Sequence, residues 1–211
     1  MDQETKRKFV HISMGFWTIA MVVFPRILAI LVILAALFFI LILARPEVWK
    51  VAFDSLASRE DEKKAGFLKG PVLYVIMALI SFTFLDLRVA STVFAMMAFG
   101  DGFANVIGSR YGQHRFTSFN NRSFEGFISF IVFAFLSGVL VFYLVSLNPD
   151  PYPWLAIFRI KEIVQDFQVI LVILGVSIIA ALTELFSKGI LNDNVTVPFV
   201  TGILLTICFA V

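Results

Sequence analysis

The chain has 211 residues, of which 60% are hydrophobic and only 15% charged, with a net charge of +2 and a mean hydropathy of +0.93. That balance excludes an ordinary soluble domain, and its one cysteine, Cys208, excludes an intrachain disulfide. An all-α, polytopic membrane bundle is expected, folded as one domain over residues 1–211, with no nucleic-acid partner.

In chain order, a polar N-terminus (Met1–Lys8) leads into the first of seven apolar segments, near 9–24, 27–44, 71–86, 88–107, 126–147, 167–187 and 195–211. No small-residue cleavage site follows the first segment, so it reads as a retained helix. Long runs without alternation exclude barrel strands, and about seven transmembrane helices are expected. Pro25–Arg26 and Asp86–Arg88 read as tight turns closing helical hairpins. Between segments two and three, Pro46 marks a helix start. Trp49, Phe53 and Leu56 then give that helix an apolar face for the membrane surface, before a solvated run, Arg59–Lys64; the other reading of the stretch is a plain charged connector. Asn148–Asp166 carries Pro149, Pro151, Pro153, Tyr152 and Trp154, a composition suited to a membrane interface.

The basic residues divide unevenly. Lys6, Arg7, Lys8, Arg45, Lys50, Arg59, Lys63, Lys64, Lys69, Arg110, Arg115, Arg122 and Lys188 fall on one side; Arg26, Arg88, Arg159 and Lys161 fall on the other. The positive-inside bias puts the first set, and the N-terminus, in the cytoplasm. Most of the residues capable of chemistry share that side, so a polar working face is expected there. The oligomeric state stays open.

The densest polar signal is Gly100–Gly126. Asp101 stands at the end of an apolar helix, a costly place for a carboxylate unless it is paired, bound to metal or wet. Asn105 and Ser109 follow on its helical face. Gly100, Ala104, Gly108 and Gly112 form a stripe of small residues beside it. The stripe has two readings: close helix packing, or access of a phosphate to the backbone. Arg110, His114, Arg115 and Arg122 add donors, and Glu125 opens the next span. There it would serve as a partner of the helix dipole, or would orient a basic residue or a metal-bound water. Glu184 lies one turn before Lys188, as an i,i+4 ion pair or a site residue. Asp193-Asn194 follows as a turn with a helix cap, or as a further part of the site. At the N-terminus Lys8, His11 and Gly15 share a helical face. Carboxylates beside many basic groups suit Mg²⁺ held jointly with phosphates, and therefore phosphoryl or nucleotidyl transfer at a membrane surface. No GxxxxGK[ST] loop or kinase glycine loop is present.

Lys6-Arg-Lys-x-x-His11-x-x-x-Gly15, Gly100-Asp-Gly-x-Ala-x-x-x-Gly108-x-x-x-Gly112, Arg122-Ser-x-Glu-Gly126, and Glu184 with Asp193-Asn-x-x-x-Pro198 occur in order. As a set they resemble the CTP-dependent polyprenol, dolichol and phytol kinase family, which includes a CTP-dependent diacylglycerol kinase. The resemblance covers nearly the whole chain. It implies transfer of the γ-phosphate of CTP to the hydroxyl of a membrane lipid, with a divalent cation. Arg122 departs from the family's usual lysine; it keeps the charge but changes the donor geometry. The central block also resembles phosphatidate cytidylyltransferases, but their C-terminal P-G-H-G-G-x-x-D-R run is missing.

The resemblance implies these roles. Asp101 and Asp193 would be Mg²⁺ ligands, with Glu184 beside them. Arg7, Lys8, Arg110, Arg122 and Lys188 would neutralise CTP, with Asn105, Gly108, Gly112 and Asn194 as further nucleotide contacts. Glu125 would orient Arg122 or a metal-bound water, and Asp101, Asp193 or His11 would accept the alcohol proton. The alternatives are a CDP-lipid synthase, a diacylglycerol kinase and, outside enzymes, a small transporter, which predicts ionisable groups near mid-membrane instead.

Overall fold

The computed structural model describes residues 15–16, 18–19, 24–57, 60–116, 122–147, 150–153, 156–160, 166–187 and 192–210. The fold is helical. α1 (Arg26–Phe38) runs on as a π-turn segment, Phe39–Leu43. Two short helices follow, α2 (Lys50–Leu56) and α3 (Glu60–Ala65), then α4 (Lys69–Phe84) and α5 (Leu87–Tyr111). A two-stranded ribbon, β1 (Arg115–Phe116) and β2 (Arg122–Ser123), leads into α6 (Phe124–Ser146), α7 (Asp166–Phe186) and α8 (Asp193–Ala210).

Four spans, Arg26–Leu43, α5, α6 and α7, are long and apolar enough to cross a membrane. Lys69–Phe84 and Asp193–Phe209 are apolar but shorter. Most of the expected first segment lies outside the described residues.

α5 is the central helix. From Val89 to Ala98 it is buried on every side, and Ala90, Ser91, Ala95 and Ala98 keep its girth small. It packs most extensively on α6 and also meets α4 and α8, while α6 packs on α7, α7 on α8, and α1 on α4. Asp86 starts α5 by accepting a bond from Arg88 N (3.0 Å), and Ser123 starts α6 by accepting one from Gly126 N (3.1 Å).

Three sequence expectations change. α2 begins at Lys50 rather than at Pro46; Phe53 is buried, while Trp49 is exposed and meets Phe39 edge-on. The run taken as solvated contains α3, which ends at Gly66 in the left-handed region (φ +64°). Its Glu62 is only 3% exposed and accepts a bond from Gly70 N (2.5 Å), so a charged stretch folds inward to cap α4. The loop after α5 carries the ribbon, with Arg115 opposite Ser123 and Phe116 opposite Arg122.

Arg26, placed by the sequence at a tight turn, is 1% exposed. It pairs with Asp150 (2.6 Å) and donates to Phe82 O (2.9 Å) and Leu85 O (2.7 Å). The guanidinium thus satisfies carbonyls at the C-terminal end of α4 while binding the loop beyond α6. Arg26→Met is expected to cost about 3–5 kcal/mol, the loss typical of leaving one partner of a buried pair uncompensated. Thermal unfolding in detergent measures it, and an unchanged midpoint would rule out that role.

Candidate functional site

Helices alternate in direction, so the ends of α5 and α7 meet the starts of α4, α6 and α8. The ribbon carries Arg122 across this junction. Its guanidinium makes an ion pair with Glu184 Oε2, donates to Glu184 O (2.5 Å), and lies 3.9 Å from Asp193 Oδ2. Ser187 Oγ and Thr196 Oγ1 are 2.7 Å apart, fastening the end of α7 to the first turn of α8. Asp101 and Asp193 both lie within electrostatic reach of Glu184, and Asp101 within reach of Tyr74. Three of the carboxylates singled out by sequence therefore gather at this junction, two of them on Arg122.

Asp101 is deeper in its helix than expected. α5 continues to Tyr111, placing Asp101 about 15 Å from its C-terminal end at 1.5 Å per residue. Asn105 donates to Asp101 Oδ1 (2.7 Å) and Asp101 O (2.9 Å), which fixes the carboxylate's orientation. Gly15 and Phe16 pack on the Phe99 ring, so these two residues reach α5 next to this site. Arg7, Lys8, His11 and Lys188 lie outside the described residues, as does the proposed Glu184–Lys188 pairing.

Glu125 does not hold Arg122. It contacts His114 Nδ1 (2.7 Å) and accepts from His114 N (3.2 Å), because the first turn of α6 faces β1 whereas Arg122 extends towards α7. Glu184 supplies the carboxylate for Arg122 instead. Among the described residues, no group of three His, Cys, Asp or Glu side chains is arranged to hold an ion. Asp101, Asp193 and Glu184 are thus not a self-sufficient metal cage. Their charge still suits a cation shared with phosphate oxygens, for which one or two protein carboxylates suffice.

The small-residue stripe packs. A Cβ on Gly100 would meet Phe130 and Ala134, and one on Gly108 would lie 2.8 Å from Ser123 Oγ and 3.3 Å from Gly126 Cα. One on Gly112 would strike Gly108 O and sit 2.5 Å from Ser123 Cβ. The expected phosphate approach at Gly108 and Gly112 is therefore corrected: α6 fills that side, and the stripe seats the ribbon. Gly112→Ala is expected to destabilise the fold by about 1–3 kcal/mol through overpacking, measured by unfolding in detergent. A neutral result would mean that α5 and α6 separate more easily than their contact suggests.

Asn194 donates from Nδ2 to Gly70 O (3.1 Å), and Gly70 N binds Glu62. Its amide is thus engaged in tying α8 to α4, while Asn192 Oδ1 accepts from Asn194 N (3.0 Å) as the helix cap. Arg110 is exposed in the last turn of α5. Sequence reasoning missed Glu62, Gly70 and Asn192, whose roles depend on partners distant in sequence or on a cap hidden by the adjacent Asp193. It also left His114 without a distinct role.

The fold and site together define an all-helical protein with membrane-crossing helices and an arginine–carboxylate cluster at one end. No family model and no solved structure matches the chain. Curated proteins do. Phytol kinase 1 of Arabidopsis thaliana is 30% identical over 138 residues, 64% of this chain and 41% of that protein. A probable phytol kinase 1 of Oryza sativa subsp. japonica is 29% identical over 143 residues (66% and 42%), and a probable phytol kinase of Zea mays is 26% identical over 151 (70% and 46%). The curated homologues of this chain are thus plant phytol kinases, all designated chloroplastic, in agreement with the family its motifs resemble. The matched stretch spans less than half the length of each of these three relatives.

Proposed function

We propose that this chain is a lipid kinase that transfers the γ-phosphate of CTP to the hydroxyl of a membrane isoprenoid alcohol, of the phytol, geranylgeraniol or polyprenol type. The observation that carries this reading is the convergence of Arg122, Glu184, Asp193 and Asp101 at one end of an apolar bundle. Similarity to phytol kinases supports the alcohol, and the ordered motifs support CTP.

In this reading Arg122, held by Glu184, neutralises triphosphate oxygens, and Arg110 adds charge at the rim. Asp101 and Asp193 would hold Mg²⁺ jointly with the triphosphate, and the bound ion would offset charge developing on the phosphoryl group. Asn105 fixes Asp101, and Asn194 fixes the start of α8. The bulk of the positive charge would face the cytoplasm, and the alcohol would reach the site sideways from that leaflet, its tail remaining in lipid.

The test is the purified protein in lipid nanodiscs with Mg²⁺, γ-labelled CTP or ATP, and a panel of isoprenoid alcohols, diacylglycerol and phosphatidate. Label on an isoprenoid alcohol with release of CDP is the expected result. A CDP-lipid with release of pyrophosphate would replace the kinase with a cytidylyltransferase, and label on diacylglycerol alone would change the substrate. Transfer from ATP but not CTP would overturn the donor.

A further inference from the structure

The ribbon face that carries Arg122 extends beyond the arginine–carboxylate cluster. Ser123 is extended (φ −92°, ψ 149°), so Arg122 and Phe124 on either side of it point the same way. Phe116 is opposite Arg122, and Phe124 N donates to His114 O (2.8 Å). His114, Phe116, Arg122 and Phe124 therefore share a face, while Ser123 turns to the other side against Gly108 and Gly112.

A groove of about 390 Å³ opens along that face, lined by His114, Arg115, Phe116 and Phe124. Its apolar floor continues into the outward face of α6, where Phe124, Ile128, Val132, Leu136 and Leu140 are all exposed at four-residue spacing. α6 is one of the helices able to cross a membrane, so this ridge would lie in acyl chains. An apolar path thus leads from lipid to a groove that shares its ribbon face with Arg122.

His114 has the geometry of an oriented base. Glu125 engages its Nδ1 at 2.7 Å and its main-chain N at 3.2 Å, and Glu125 itself lies in the first turn of α6, where the helix dipole favours a carboxylate. Hydrogen bonding by Nδ1–H to Glu125 leaves the Nε2 lone pair as an acceptor, and Nε2 makes no bond among the described residues. An isolated exposed ion pair contributes little to stability. With the ring 79% exposed, beside a groove and anchored through two atoms, the arrangement suits proton transfer better than folding.

Resting on the kinase reading, we infer that this groove receives the head of the isoprenoid alcohol and that the His114–Glu125 pair accepts its proton. As the alcohol oxygen bonds to the γ-phosphorus, its proton passes to His114 Nε2. The bond between the γ-phosphorus and the bridging oxygen breaks, and the nucleoside diphosphate leaves. Glu125, a positioning residue, holds Nδ1–H and stabilises the imidazolium.

Two measurements test this. In the first, His114→Ala is compared with wild type on an isoprenoid alcohol. The expected result is a fall in kcat of about 10²-fold or more with KM for the nucleotide unchanged, partly restored by added imidazole. The His114→Ala/Glu125→Gln double variant should be no slower than His114→Ala alone. Near-normal kcat in His114→Ala, or a loss that imidazole does not restore, would overturn the base. In the second, an isoprenoid alcohol carrying a photoreactive group near its hydroxyl is cross-linked to wild type in nanodiscs and the labelled peptide mapped. Label on residues 114–128 supports the groove even if no phosphate is transferred, in which case the kinase reading fails by itself. Turnover with label elsewhere leaves the kinase reading standing and removes the groove.

Discussion

Asparagine in place of Asp193 is expected to reduce phosphoryl transfer by at least about 10³-fold, roughly 4 kcal/mol of transition-state stabilisation, while the protein remains folded. Folding should survive because the helix cap belongs to its neighbour: Asn192 Oδ1 accepts from Asn194 N, and an amide oxygen at position 193 can replace Asp193 Oδ1 in its own 3.0 Å bond to that nitrogen. What the variant loses is a negative charge beside Arg122, where a cation and a triphosphate would share the site. Asp101→Asn should behave alike, since the amide oxygen can still receive Asn105 Nδ2. The measurement is kcat/KM with unfolding in detergent as a control. Near-normal turnover in either variant would remove that residue from the metal site.

Arg122→Ala carries the second large effect, and it acts twice. It strips the phosphate subsite of its central cation, expected to cost about 10³-fold in rate, and it leaves Glu184, only 14% exposed, without its ion-pair partner. Partial exposure puts the stability loss at the low end for a broken buried pair, about 3 kcal/mol. Two further variants separate the effects. Arg122→Lys keeps the charge and should retain most of the stability, losing activity only as far as the forked geometry matters. Glu184→Gln leaves the bond from Arg122 Nη1 to Glu184 O in place, so the arginine stays tethered while its charge partner goes. A folded Glu184→Gln protein with reduced transfer supports a role in the site; loss of folded protein would make the pair structural.

The helices were legible because the bilayer imposes long apolar runs, and no other element satisfies the backbone across such lengths. The cluster was legible for a related reason. In alternating helices the polar ends separate into two sets, so Asp101, Glu184 and Asp193 had to fall at the same end as the arginines of the ribbon. Even the small-residue stripe was recognisable, although it serves packing against Ser123 and Gly126. The partners were not legible. Arg122 and Glu184 are 62 residues apart and Arg26 and Asp150 are 124, and no local periodicity links them. Glu125 was matched with the nearest arginine in sequence, yet that arginine reaches to Glu184 and Glu125 meets His114 instead. Glu62 sits in a run that reads as solvated, and its burial follows from the unsatisfied N–H groups at the start of α4.

By itself, then, the sequence determined the class of fold, the end of the bundle where ionisable groups collect, and several of the charged residues that meet there. Hydropathy and charge sorting act along the chain and leave their mark in one dimension. Tertiary structure alone decided which carboxylate holds Arg122, that Arg26 is buried, that Gly108 and Gly112 pack rather than open to a ligand, and that His114 and Glu125 stand together. Those outcomes depend on close approach of helices and on the desolvation of particular side chains, which exist only once distant segments have met.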